Sequence, residues 1–522
     1  MNERLSALLD DLKRGPDLAP ADLHRGSRRT AWLAEADLSE LADFLTAAAA
    51  LPALAAPADR LLAAWLLGAA QTRRRLPPPA AGEPDAVRAV GAAEALYARL
   101  AADSPARGAL LAWLAACGDR ASLAAFARLL TSSPPTEEQA VMQALAPLFQ
   151  QRRAEAAALF PDLLACLAQP ELAAPVLDLA NFLTREGLTP RHPASEHTAQ
   201  LIALLGQLVQ SLTGLEQQPH QYGGSAQELS RVVGRGIALA VVVCDALAQI
   251  GDRSAVGKLY QALELGHRRL RTEAAAALAR LGEQAGADAL VALAAEPVAR
   301  LRVLAYAREL GLLDRIDPQY TTPVARAEAE LCAWLAEPTQ YGLPPTSLEL
   351  VDQRRQHWPG FTEEVDCFLF RFQYRFALEG QGERSFSNVG IAGPVAHAFV
   401  ADLGDLAPDD IYAAFAGWHA EHAEIQEFDV ERLSTSERLE VERFKRRLID
   451  AGFDQVEPQR MGYFFGEKAL VARAVRQGVR GVAVADTREA AFFPERHSRR
   501  SLGLVEAYSI YKGRKLLRAF NP

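Results

Sequence analysis

The segment Trp418-His-Ala-Glu-His422 holds the residues whose types come nearest to metal chemistry. On a helix, His419 and His422 stand three positions apart on one face and could share a cation, with Glu421 or Glu424 beside them. The zinc-protease helix spaces its histidines four apart with a glutamate directly after the first, and this segment does not. No distant third ligand is identifiable, so both histidines are expected to be ordinary surface or core side chains. No metal and no cofactor is expected. No Ser-His-Asp grouping, P-loop or G-x-G-x-x-G after a strand stands out, and no catalytic residue is assigned.

Basic residues form the second set of candidates. Lys468 to Arg518 contains 12 Lys or Arg and 4 Asp or Glu, including Arg499, Arg500, Lys512, Arg514 and Lys515. The stretch before it, Leu348 to Glu467, contains 23 acids and 12 bases. Two opposite fields most simply neutralise each other; a tail that grips nucleic acid, another polyanion or an acidic partner is the other reading. Upstream, Arg268, Arg269, Arg271, Arg300 and Arg302 recur near helix starts, with Arg271 and Arg302 separated by 31 residues. A row of that kind could hold an acidic partner or a DNA backbone, although solvated helix ends explain it more plainly. Only six of the 56 basic residues are lysine, as a GC-rich genome would produce, so each arginine is a weaker sign of bidentate anion binding.

The elements that must carry these residues are mostly helices. Alanine makes up 100 of the 522 residues, 79 of them before residue 341, whereas 24 of the 38 aromatic residues come after residue 340. Two regions of different packing chemistry follow. Leu61, Leu62, Trp65, Leu66 and Ala69 have the three-and-four spacing of one helix face. Arg73-Arg-Arg-Leu-Pro-Pro-Pro-Ala-Ala-Gly-Glu-Pro84 then stops helix, because proline lacks the amide and clashes with the preceding turn. Beyond it, Ala246-Leu-Ala-Gln-Ile-Gly-Asp252 recurs as Ala277-Leu-Ala-Arg-Leu-Gly-Glu283 at a period of 31, and more weakly as Ala305-Tyr-Ala-Arg-Glu-Leu-Gly311. Leu114-Ala-Ala-Cys-Gly-Asp-Arg120 is an earlier copy. Repetition at this period predicts an α-solenoid, in which each unit buries its stripe only against its neighbours. Gly251 and Gly282 should close helices in the left-handed conformation, and Asp252 or Asp288 should cap the next helix. Thr189–Pro193 and Gln217–Ala226 are expected to be rim loops.

The unit from Arg268 to Leu293 resembles one HEAT repeat of the short type named for phycobilisome lyases. The resemblance covers residues 236–312 well and residues 106–165 loosely. It implies a concave binding face and no activity, since HEAT arrays serve scaffolds, inhibitors, lyases and glycosylases. Di-iron hydroxylases built on these repeats use His-Glu dipeptides, and this chain has none in that order.

After residue 341 the pattern changes. Cys367 to Ala377 alternates strictly, with Phe368, Phe370, Phe372, Tyr374 and Phe376 on one face, which predicts a strand. Such rings could stack single-stranded bases, but five on one face are expected to be core. Val389–Ala392 is its expected partner after the Gly380-Gln-Gly382 turn. Helices are expected at 409–422, 434–451 and 467–477, and strands at 459–465, 479–485 and 490–493.

Charge and cysteine usage narrow the setting. Net charge is −9, which argues against general polyanion affinity. Cys117, Cys166, Cys244, Cys332 and Cys367 form no Cys-x-x-Cys pair and are expected to be buried thiols. The longest unbroken apolar run, Ala109 to Cys117, is far below the roughly 20 residues of a membrane span. The expectation is a mainly α, cytoplasmic protein with no membrane partner: a helical cap at 1–84, a HEAT-like α-solenoid at 85–340 and a compact α+β domain at 341–522. Its expected role is a non-catalytic scaffold that binds a protein partner. The rivals are an enzyme with a pocket near His397, His419 or His422, and a nucleic-acid or polyanion binder using the basic strip.

Overall fold

Asp37 shows how this chain starts a helix. Its carboxylate accepts from the Glu40 amide at 2.8 Å while the Glu40 carboxylate accepts from the Asp37 amide, so two free donors of the first turn are satisfied together. The computed structural model describes residues 3–14, 30–52, 54–151, 153–218, 225–378, 382–420, 423–427, 433–464, 466–495 and 502–521. The chain is mostly helical, with two small antiparallel sheets in its C-terminal region. It divides into two compact units, Met1–Leu290 and Val291–Pro522.

The helices that begin in the first unit are α1 (Glu3–Arg14), α2 (Thr30–Ala34), α3 (Leu38–Ala49), α4 (Ala56–Arg73), α5 (Pro84–Arg99), α6 (Pro105–Cys117), α7 (Arg120–Ser132), α8 (Glu138–Gln151), α9 (Phe160–Leu163), α10 (Pro170–Arg185), α11 (Thr198–Gln217), α12 (Ala226–Ile250), α13 (Val256–Leu263), α14 (Arg268–Arg280) and α15 (Gln284–Ala292). Second-neighbour packing puts α2, α4, α6, α8, α10, α12 and α14 in one row and α3, α5 and α7 in another, while α11 and α13 pack mainly on the helices that follow them, α12 and α14, and more weakly on each other. Small residues permit this. Every residue of α6 from Ala106 to Cys117 is buried, and a Cβ added to Gly108 would lie 2.8 Å from Ala140. Ala274 to Ala277 are likewise buried.

Helix ends follow the sequence signals in most places. Gly251 and Gly282 adopt φ of 80° and 83°. Asp252 accepts from the Ser254 amide at 2.9 Å. Asp288, in contrast, lies inside α15 and accepts from the Gln284 side chain at 2.8 Å, so it starts no helix. Two stretches, Ser195–Gln217 and Glu228–Ile250, are long and apolar enough to cross a membrane by length and composition alone. In the fold α11 buries Leu201, Leu205, Val209, Leu212 and Leu215 among its neighbours.

The second unit contains α16 (Pro297–Glu309), α17 (Pro323–Leu335), α18 (Pro408–His419), α19 (Thr435–Asp450) and α20 (Leu504–Phe520). One sheet runs β1 (Ser347–His357), β2 (Glu364–Leu378), β3 (Gly382–Ala392), β4 (His397–Ala398); the other runs β5 (Ala423–Glu427), β6 (Asp454–Phe464), β7 (Glu467–Arg476), β8 (Val479–Ala485), β9 (Ala490–Pro494). Phe368, Phe370, Phe372 and Tyr374 of β2 are core against Leu331 and Leu335 of α17, while Phe376 is exposed. On the opposite face Cys367 and Leu369 join a core shared with α18, α20 and the second sheet. The composition shift near residue 340 thus falls within a unit whose helix α17 already belongs to the sheet.

Residues 467–476 and 504–520 differ from expectation. Residues 467–476 are the strand β7, not a helix. Ala469 and Val471 face α18 and α20 whereas Leu470, Ala472 and Ala474 face the core with α19, so both faces are covered and alternation vanishes. The β7–β8 turn is marked by Gln477 and Gly478, with φ of 52° and 80°. The helix α20 buries Lys512 of the basic tail and leaves Arg518 exposed.

Candidate functional site

His419 sits at the last turn of α18, where its Nδ1 accepts from the Trp358 indole at 2.8 Å. That bond places the ring proton on Nε2 and leaves neither nitrogen open to a metal. His397 stacks on Trp418 with centroids 3.8 Å apart, and burial with the neighbouring His419 pushes its pKa down to about 4. His422, Glu421, Arg499 and Arg500 lie outside the described residues. Among the described residues no group of three or more His, Cys, Asp or Glu could hold a metal ion.

The predicted basic residues separate into two kinds. Arg300 is 2% exposed; its guanidinium donates to the Ala294 carbonyl at 2.8 Å, the Ala325 carbonyl at 2.7 Å and the Glu328 carboxylate at 2.6 Å. It braces α16 against α17 and is not available to a partner. Arg107 does the same in the first unit, donating to the Leu100 carbonyl at 2.9 Å and the Ser133 hydroxyl at 3.0 Å. Arg514 pairs with Asp410 at 2.7 Å, and Lys515 pairs with Glu467 at 3.2 Å and with Asp486. Lys512 is 4% exposed, with its ammonium 5.5 Å from the Phe464 ring centroid, and burial pushes its pKa down to about 8. Opposite fields therefore cancel at Arg514, Lys515 and Lys468, which holds Glu440 at 2.8 Å. Arg268, Arg269 and Arg302 are exposed at their helices, and Arg271 is half-buried. Arg302 lies beside Tyr306, 5.6 Å from the ring centroid.

A cavity of about 690 Å³ touches the basic tail at Lys515 and Arg518, beside Glu467 and Glu489. One of about 390 Å³ in the second unit is lined by charges of both signs, Arg473 and Arg480 with Glu457 and Glu495. In the first unit, a trough of about 250 Å³ forms where α4 and α8 rise on either side of α6. Ala112 is its floor. One wall is Leu67, Ala70, Gln71 and Arg74 of α4 and the residues just after it, joined by Arg75; the other is Gln143, Ala146, Pro147 and Gln150 of α8. The spacing within each wall is that of one helix face. An open hollow of about 610 Å³ continues it past Arg74 and Gln150 to Gln151 and Arg153.

Local helix chemistry accounts for part of this basicity. The Gln151 amide donates to the Ala116 carbonyl at 2.9 Å, and Arg153 donates to the Cys117 and Leu76 carbonyls at 3.3 and 3.1 Å. These groups satisfy the open carbonyls that end α6 and the segment after α4. Gln71, Arg74, Arg75, Gln143 and Gln150 have no side-chain hydrogen bond or ion pair among the described residues, and no carboxylate lines either hollow. The sequence shows Arg73–Arg75 only as the end of a helix and the start of a linker. Its one hint was three cations at a helix C-terminus, which a macrodipole alone explains.

Comparison with protein-family models finds no match for this chain, and none of the curated proteins compared is similar to it.

Proposed function

We propose that this protein is a non-catalytic scaffold whose first unit is a HEAT-type α-solenoid that binds a protein partner, followed along the chain by an α+β region. Second-neighbour packing of helices in two rows, together with left-handed glycines at the repeated positions, supports the solenoid. The observation that carries the binding role is the trough between α4 and α8: its guanidinium and amide groups have no partner within the described chain. The strip proposed for nucleic acid is weaker, because Arg300, Lys512, Arg514 and Lys515 serve internal contacts. Burial of more than half of the apolar stretch of α12 supports a core role for that helix.

The test is affinity capture from the native cell with the full chain as bait, followed by binding measurements on the purified partner. Charge reversal at the trough, Arg74→Glu with Arg75→Glu, should weaken the complex by about tenfold or more while the circular-dichroism melt is unchanged. Equal retention of the partner by the reversed chain would count against the trough. Capture of nucleic acid, or a turnover assay positive with the captured partner as substrate, would replace the scaffold reading.

A further inference from the structure

From the chemistry of the trough we infer the class of partner it takes: an extended, acidic peptide segment. The inference rests on the reading of the first unit as a protein-binding array. Leu67 to Arg74 and Gln143 to Gln150 each span eight residues, seven helical steps, so each wall runs about 10 Å, the length of about three extended residues. The hollow beyond Gln150 extends that track toward Arg153.

Each side chain on the track suits one part of such a ligand. A primary amide offers an N–H pair and a C=O together, the complement of a peptide unit, and Gln71, Gln143 and Gln150 present three of them from facing walls. Arg74 and Arg75, with no acid on the lining, supply positive charge for carboxylate side chains and can grip them through two parallel N–H bonds. Leu67, Ala70, Ala146 and Pro147 leave apolar contact for the ligand's Cα and Cβ atoms. A nucleic acid fits less well. Bases want aromatic platforms, and the one ring here, Phe149, already packs on Phe182 at 5.1 Å. The chain's net charge of −9 further opposes a long polyanion while leaving a short acidic segment free to enter one local basic site.

The experiment uses the full-length protein and a fluorescein-labelled peptide of about ten residues alternating Glu and Ser, long enough to fill the track and overhang it. Its Gln-for-Glu counterpart and a single-stranded oligonucleotide of the same length are the comparison probes. Fluorescence anisotropy should show the acidic peptide binding, weakening as salt rises, and the neutral peptide binding at least about tenfold less tightly. Arg74→Gln with Arg75→Gln should weaken the acidic peptide by about tenfold, and Gln143→Leu with Gln150→Leu should weaken both peptides. Melts of all variants verify folding, and these side chains hold no internal contact whose loss would unfold the chain. Equal binding of the two peptides, tighter binding of the oligonucleotide, or no binding of the acidic peptide would overturn the inference. In the last case a trough-dependent natural partner from the capture experiment would leave the scaffold reading standing, with a different ligand chemistry.

Discussion

Lys512 carries its charge in a buried, aromatic setting. Its ammonium lies over the faces of Phe464 and Tyr508 at 5.5 and 6.0 Å, with no carboxylate partner among the described residues. Burial lowers its pKa from 10.5 to about 8, so the folded state binds the proton more weakly than the unfolded chain does. The penalty is complete below pH 8 and disappears as pH rises toward 10.5. Lys512→Met keeps the bulk and removes the charge, and should stabilise the protein by about 1–3 kcal/mol at pH 7. The gain, read from denaturant midpoints, should shrink across pH 8 to 10.5; an unchanged or lower midpoint at pH 7 would show that the two rings compensate the burial. Among the basic residues picked from sequence, Lys512 and Arg300 had the right charge and the wrong environment, because burial depends on which helix packs over a residue.

At the scale of elements, close packing is decided by glycines. A Cβ on Gly513 of α20 would lie 1.8 Å from the Ala413 carbonyl oxygen, and one on Gly417 of α18 would lie 1.9 Å from the Ser509 carbonyl oxygen. The two helices therefore cross antiparallel with their backbones nearly touching. Gly91, exposed in α5, has nothing within 4 Å of its added Cβ. Gly513→Ala should destabilise by about 1–3 kcal/mol through overpacking, whereas Gly91→Ala should stabilise by about 0.5–1 kcal/mol through helix propensity. Thermal melts of the two variants should move in opposite directions, and a rise for Gly513→Ala would refute the crossing geometry. The sequence showed α18 and β2 clearly. It concealed β7, whose two faces are both buried, and α20, whose basic residues drew attention from the apolar spacing of Leu504, Ala507, Tyr508, Tyr511 and Leu516.

For the whole molecule, acid is the condition that separates the buried groups. His192 is 3% exposed; its Nδ1 accepts from the Ala194 amide at 3.1 Å and its Nε2 bonds Asn181 Oδ1 at 2.9 Å. Burial holds its pKa near 4, against the opposing pull of Asp245. The unfolded chain thus takes up a proton from pH 6.5 downward that the folded chain refuses until about pH 4, so the contribution of His192 to stability falls over that window and is level above it. Burial alone would raise Asp486, but bonds from Lys515, Tyr511 and two backbone amides outweigh it and hold the pKa near 2. Its contribution is present above pH 3.8 and is lost as pH falls toward 2. Urea midpoints should therefore fall in two stages, and His192→Gln should flatten only the upper one. A midpoint independent of pH between 4 and 6.5 would contradict a neutral His192.

The sequence by itself determined the helical class, the left-handed glycines that end the repeated helices and the aromatic strand β2, because each depends on spacing within a few residues of the chain. The trough was beyond it. Periodicity identifies the face of α4 that carries Gln71 and Arg74 and the face of α8 that carries Gln143 and Gln150, but those residues are some 70 positions apart. Only the packing of both helices on the small residues of α6 sets them opposite each other. The fate of the basic tail was decided in the same way. Local counting finds the charges, whereas the pairing of Arg514 with Asp410 follows from a helix crossing made possible by two glycines, and that of Lys515 with Asp486 from the packing of α20 on the end of β8.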